Sequence, residues 1–100
     1  MNITNIKTRK LLFDGKMRAV VSVTFDDEIV VHDIKVIKGP DRYFLAMPSR
    51  KMPDGNFWDI VHPINAQVRA SLERTILQYY HEVIATQAAD DGAPAENDME

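Results

Sequence analysis

The chain has 100 residues, of which 27% are charged, with a formal net charge of −3 and no cysteine. That length supports one domain with a single core and is too short for two. The lack of cysteine excludes a disulfide framework, a thiol nucleophile and a thiolate metal site, and it fits a reducing cytoplasm. No segment approaches the roughly 18 apolar residues of a membrane span, so we expect a soluble, cytoplasmic protein with no membrane partner.

The acidic residues are unevenly distributed along the chain. Five of the 15 acids follow Thr86, in a segment with almost no large apolar residues, and we predict that residues 86–100 form a disordered acidic tail. The predicted folded domain, residues 1–85, keeps 10 acids and all 12 basic residues, so it is mildly basic. This charge is well short of the strongly basic domains that are typical of nucleic-acid binding.

The first forty residues show the pattern of antiparallel strands joined by short turns. Residues 2–13 precede Asp14-Gly15, which is a two-residue hairpin signal. Met17 to Phe25 then alternates apolar and polar side chains, which predicts a half-buried strand. Asp26-Asp27 predicts the next turn, and residues 29–38, rich in Val and Ile, predict a third strand. With a further turn before Tyr43, this pattern indicates an antiparallel meander.

The next segment combines a strand, a turn and a pair of basic residues. Residues 44–47 predict a buried strand, and Pro48 places the end of that strand at or near a sheet edge. Pro53-Asp54-Gly55 predicts a turn, because Pro presets φ, Asp can bond its own backbone and Gly accepts positive φ. Residues 57–61 resume a strand-like run, so we expect Arg50-Lys51 in a loop at the open end of a hairpin.

A helix is predicted at the C-terminal end of the domain. Asn65 is a plausible N-cap, and Arg69 and Glu73 lie four residues apart as a charge pair on the solvent face. Apolar residues recur every three to four positions, namely Val68, Leu72, Ile76, Tyr79 or Tyr80, and Val83. Strands followed by a helix predict an α+β domain, with an antiparallel sheet of four or five strands and one long C-terminal helix.

One helix cannot cover both faces of such a sheet. Apolar sheet surface or an unpaired strand edge is therefore left over, and self-association is an efficient way to hide it. We expect a dimer that associates either through strand edges or through the helix.

Four segments of the sequence carry a family resemblance. They are MRA at 17–19, VVHDIKVI at 30–37, FLAMPSRKMPDG at 44–55 and DIVHPI at 59–64. In this order they resemble the SpoVG (stage V sporulation protein G) family of bacterial septation regulators, over about residues 1–84. The resemblance implies a small homodimer that binds DNA, and in some members RNA. It also implies regulatory effects on septum formation, sporulation and gene expression, without catalysis.

The resemblance implies three nucleic-acid-binding residues. Arg50 and Lys51 match the basic pair of the family, and Arg69 matches a basic position in the first turns of the helix. Arg offers a bidentate fork to phosphate and Lys a point charge, whereas the simpler alternative for the pair is an ordinary solvated loop. Trp58 stands where the family commonly has Arg or Lys, so it either stacks on a base or closes a dimer contact.

The histidines do not form a recognisable catalytic or metal-binding pattern. His32 shares a predicted strand face with Ile34 and Val36, so we expect a core histidine, and His62 is expected to cap local structure before Pro63. We therefore expect no enzyme activity, no metal, no cofactor and no small-molecule substrate.

Two interpretations of the remaining surface stay open. Five further basic residues either extend a basic surface or form the solvent side of a one-sided sheet: Lys7, Arg9, Lys10, Arg18 and Lys35. The runner-up to a nucleic-acid-binding regulator is a protein–protein adaptor, which would dock a partner through an exposed sheet edge or the Met47-Pro48 loop.

Overall fold

A computed structural model of the chain describes residues 2–89. Within that range the chain forms strands β1 (Ile3–Leu11), β2 (Met17–Phe25), β3 (Ile29–Lys38), β4 (Tyr43–Ala46), β5 (Ser49–Lys51) and β6 (Phe57–Asp59), followed by helix α1 (Ala66–Ala89). The predicted α+β fold, with strands first and one long helix last, is confirmed.

The first four strands form one antiparallel sheet in the order β1-β2-β3-β4, so the predicted meander is confirmed. β5 and β6 do not join it and form a separate two-stranded antiparallel sheet. Pro48 separates β4 from β5 and lacks the N–H that a continuing ladder would use. Its carbonyl instead accepts a hydrogen bond of 2.7 Å from the Ile60 N–H, which joins the two ends of the β5–β6 hairpin.

A bulge at Asp33 changes which side chains of β3 reach the core. Asp33 has a φ of 64°, and the β2–β3 register shifts between Val21 and Val23. One extra residue on a strand reverses the alternation of side chains beyond it. Ile34 is therefore buried while His32 is exposed, and the expectation of a core histidine is wrong.

Helix α1 packs on one face of the four-stranded sheet. The buried apolar core consists of Ala19, Val21, Val23, Phe25, Ile34, Val36, Leu45 and Met47 from the sheet side with Ile76 and Tyr80 from α1. A hydrogen bond of 2.8 Å between the hydroxyls of Thr8 and Tyr79 ties α1 to β1. Burial raises the pKa of Tyr80 above its ordinary 10.0, and Tyr43 adds to the rise while Arg18 opposes it.

Helix α1 begins at the predicted N-cap. Asn65 Oδ1 accepts a hydrogen bond of 2.8 Å from the Val68 N–H, which satisfies one of the free donors of the first turn. Val68 itself was expected on the buried face but is exposed. Leu72, one turn later, packs against the core cluster.

The helix continues beyond the predicted end of the domain at residue 85. It runs through Ala89, over a Gln-Ala-Ala segment that favours helix. The rest of the predicted acidic tail, residues 90–100, lies outside the described residues. Within the described part of the chain, no helix is both long and apolar enough to cross a membrane.

Candidate nucleic-acid interface

The β5–β6 hairpin is closed by the predicted Pro-Asp-Gly turn. The Asn56 N–H donates to Asp54 Oδ1 at 3.0 Å, which is the bond two residues along the backbone that the sequence predicts. The Gly55 N–H donates to the Met52 carbonyl at 2.9 Å, and Gly55 has a φ of 92°, which glycine adopts without strain. These bonds set the pairing of the two strands.

Arg50 and Lys51 lie in strand β5, and the expectation that they occupy a loop is wrong. In the ladder Arg50 pairs with Trp58, and Lys51 pairs with Phe57. Successive side chains of a strand point to opposite faces of the sheet. The two basic residues are therefore presented on opposite faces of the hairpin, each beside an aromatic residue.

The charges of the hairpin are unevenly compensated. Arg50 and Lys51 are both exposed, and within residues 2–89 neither side chain forms a hydrogen bond or an ion pair. Asp59 is paired with Ser49 in the ladder, and it lies on the same face as Lys51. The Arg50 face has no acidic strand residue. Of the two cations, only Lys51 shares its face of the hairpin with an acidic strand residue.

Arg69 belongs to a separate charge cluster on α1. Its Nη1 lies 3.9 Å from Glu73 Oε2, which confirms the predicted pair four residues apart. Glu73 Oε1 also lies 3.4 Å from Arg42 Nη1, so two guanidinium groups share one carboxylate. Across the described residues, no hydrogen bond or ion pair links Arg69 to the hairpin. The structure therefore brings Arg50 and Lys51 onto one strand and leaves Arg69 on another element.

A polar contact across three strands was not predicted. Arg9 Nε donates to Ser22 Oγ at 3.0 Å, and Ser22 Oγ lies 2.8 Å from His32 Nδ1. Ser22 is only 3% exposed, although it lies on the sheet face opposite to α1. The contact depends on the bulge at Asp33, which moves His32 to this face, and strand alternation alone gives no sign of it.

Two other predicted residues have local structural roles. Arg18 donates from Nε to the Gly15 carbonyl at 2.7 Å and from Nη1 to the Phe13 carbonyl at 3.4 Å, so it braces the β1–β2 turn. His62 Nδ1 lies 3.0 Å from the Pro63 carbonyl, which confirms its expected role in local structure. Within residues 2–89 no group of three His, Asp or Glu side chains is placed to hold a metal ion.

The fold and its surfaces define a class of protein. It is a small α+β domain in which one helix covers one face of a four-stranded meander, and a separate hairpin carries basic and aromatic side chains. The family model that matches this chain is SpoVG, over residues 1–82. The chain belongs to the SpoVG family, which confirms the resemblance found in the sequence.

Relatives in several bacteria match most of the chain, and each is named "Putative septation protein SpoVG". The protein of Clostridium kluyveri is 58% identical over 83 residues, which cover 83% of this chain and 86% of the relative. The protein of Clostridioides difficile is 57% identical over 84 residues, with 84% and 91% covered. The protein of Acetivibrio thermocellus is 53% identical over 92 residues, with 92% and 98% covered.

Proposed function

We propose that the chain is a nucleic-acid-binding regulator of septum formation and sporulation that acts without catalysis in the cytoplasm. Membership of the SpoVG family and relatives named as septation proteins support the regulatory role. The observation that carries the nucleic-acid part is that Arg50 and Lys51 are exposed cations on a paired strand, and that neither side chain forms an ion pair within residues 2–89.

The proposed contacts are with phosphate groups. Arg50 offers a planar guanidinium fork that matches two phosphate oxygens, and Lys51 offers a compact charge on the other face of the hairpin. Arg69 adds a contact from α1, where its guanidinium shares Glu73 with Arg42 and keeps donors for a second anion. Phosphate is common to DNA and RNA, so both are proposed ligands.

The proposal includes a homodimer, and an exposed apolar segment supports it. Ile60, Val61, Ile64 and Val68 follow one another from the end of β6 into the first turn of α1, and Ile64 is 88% exposed. A run of exposed apolar side chains marks an interaction site, and a two-stranded sheet alone is marginally stable. Pairing two copies through this segment would cover it and would double the phosphate contacts.

The same apolar segment favours a second candidate function. A protein–protein adaptor would use it to dock a different partner, and its binding of nucleic acid would be incidental. The two candidates differ in what they require of Arg50 and Lys51, because only the regulator depends on their positive charge.

A double charge reversal tests the proposed function. We expect Arg50→Glu with Lys51→Glu to weaken binding of labelled DNA and RNA of about 20 nucleotides by at least tenfold at about 50 mM salt, since it removes two phosphate contacts and adds repulsion. Fluorescence anisotropy measures the affinity, and circular dichroism checks that the fold is kept.

The matched control is Lys16→Glu with Arg74→Glu. Both residues are exposed and lie outside the hairpin, and this variant changes the net charge by the same amount. We expect it to retain affinity within a few-fold of the parent chain. Equal losses in the two variants, or no loss in the hairpin variant, would contradict the proposed site and would favour the adaptor.

A further inference from the structure

Trp58 is exposed on a strand whose pairing fixes its direction. It is the only tryptophan of the chain, and 61% of its surface is accessible. Tryptophan is usually among the most buried residues, since its ring removes a large apolar area from water. The ladder pairs Trp58 directly with Arg50, so the indole and the guanidinium start from the same face of the hairpin.

The ring of Trp58 makes no aromatic contact within residues 2–89. Aromatic contacts in the described part of the chain involve Tyr43, Tyr80 and His81, and Trp58 takes part in no ring or cation–π contact there. Arg50 therefore does not cover the indole. One face of the hairpin thus presents a free π surface beside a free cation.

The strand residues on this face add no negative charge, although the Asp54 carboxylate in the turn accepts a hydrogen bond of 3.3 Å from Asn56 Nδ2. By strand alternation the neighbours of the Arg50–Trp58 pair are Met52 and Asn56 toward the turn and Ile60 at the open end. Asp59, the acid of β6, is on the opposite face. A surface with an apolar ring, a guanidinium without an ion pair and no acidic strand residue is complementary to a ligand that is both aromatic and anionic.

Each nucleotide of single-stranded nucleic acid carries both an aromatic base and an anionic phosphate. In a duplex the faces of the bases are stacked on one another and closed to an indole, whereas an unstacked base in a single strand can lie on an aromatic side chain. The phosphate next to that base then comes within reach of a neighbouring guanidinium.

We propose that Trp58 and Arg50 form a site for single-stranded nucleic acid, in which a base stacks on the indole of Trp58 and Arg50 binds an adjacent phosphate. This inference rests on the proposed nucleic-acid binding and names its ligand class. Arg50 and Lys51 supply affinity for any polyanion, and Trp58 adds a contact that only unstacked bases make.

The fluorescence of Trp58, the single tryptophan, reports directly on stacking of a base against its indole. We expect a single-stranded oligothymidine of about 20 nucleotides to quench the emission of the full chain at low salt. A duplex of the same length should change the emission far less, because it offers no unstacked base.

Two substitutions of matched strand propensity isolate the aromatic ring. Trp58→Phe and Trp58→Ile both place a good strand former in β6, and only the first keeps a π face. We expect Trp58→Ile to lower the anisotropy-measured affinity for the single strand about tenfold and to leave duplex affinity within about twofold. Trp58→Phe should retain most of the single-strand affinity.

The outcomes separate failure of this inference from failure of the proposed function. Equal single-strand affinities of the Ile and Phe variants, or emission that is quenched equally by duplex, would overturn the stacking site and leave phosphate binding by Arg50 and Lys51 intact. Emission that changes on dilution of the protein alone would also overturn it, and would assign Trp58 to a contact between copies. Binding that survives both the Trp58 variants and the Arg50/Lys51 reversal would overturn the hairpin as the nucleic-acid site, and a parent chain that binds neither single strand nor duplex would overturn the proposed function itself.

Discussion

Asp33 shows how one backbone conformation redirects the side chains of a strand. Its φ of 64° is left-handed, a region that Asp visits more readily than most residues other than glycine. The bulge that results moves His32 out of the core and into contact with Ser22. Alternation places Val30 and His32 on the core face with Ile34 and Val36, but Val30 is exposed and Val31 packs against the core. The sequence did not predict this reversal, because Asp tolerates the left-handed conformation without requiring it.

The left-handed backbone at Asp33 predicts opposite effects for two substitutions. Asp33→Gly should keep or raise the free energy of unfolding, since glycine adopts positive φ without a steric penalty. Asp33→Val should lower it by about 1–3 kcal/mol, because a β-branched side chain is strained there. Urea unfolding followed by circular dichroism measures both. A valine variant as stable as the parent would show that the bulge is not required.

Local and non-local features of the basic hairpin differ in how far the sequence predicts them. The Pro-Asp-Gly turn was predicted because its hydrogen bonds, including Asn56 to Asp54, lie within a few residues. The basic pair was also recognised from its composition. The pairing of Arg50 with Trp58 was not, because a ladder register depends on both strands and on where the intervening turn closes.

The separation of β5–β6 from the main sheet is likewise a tertiary property. A strand-like run after the turn is equally compatible with a fifth strand of the meander and with an independent hairpin. The sharing of Glu73 by Arg69 and Arg42 was not predicted for the same reason, since a family match gives residue identities and not their relative positions. The start of the helix, by contrast, was predicted correctly, because Asn65 caps it through a hydrogen bond to Val68 within the first turn.

The segment that joins β6 to α1 carries the proposed dimer contact. We expect Ile64→Asp to weaken dimerisation by roughly thirtyfold, since truncating a central apolar contact and burying a charge is costly at an interface. The fold should survive, because Ile64 is 88% exposed in the single chain. Sedimentation velocity over a range of protein concentrations measures the effect.

Phe13→Asp is the matched control for that experiment. Phe13 is also an exposed apolar side chain, at 65%, but it belongs to the β1–β2 turn and not to the segment between β6 and α1. We expect this variant to dimerise like the parent. A parent chain that is monomeric at all concentrations, or equal weakening by both substitutions, would contradict the assigned interface.

The whole molecule has one covered sheet face and several uncovered surfaces. The predicted number of strands and helices already indicated this imbalance, since one helix cannot cover a four-stranded sheet on both sides. The composition, however, averages the charges, and the 10 acids and 12 basic residues of residues 2–89 conceal a hairpin face that has no acidic strand residue. Local charge, rather than net charge, is what a phosphate group meets within the Debye length of about 8–10 Å.

The most direct test of the account is the salt dependence of nucleic-acid affinity for the full chain. With about three phosphate contacts per protomer, a dimer neutralises about six phosphates, and the dissociation constant from anisotropy should rise roughly a thousandfold between about 50 and 200 mM salt. Binding that is nearly independent of salt, or undetectable at the lower concentration, would contradict phosphate recognition by Arg50, Lys51 and Arg69.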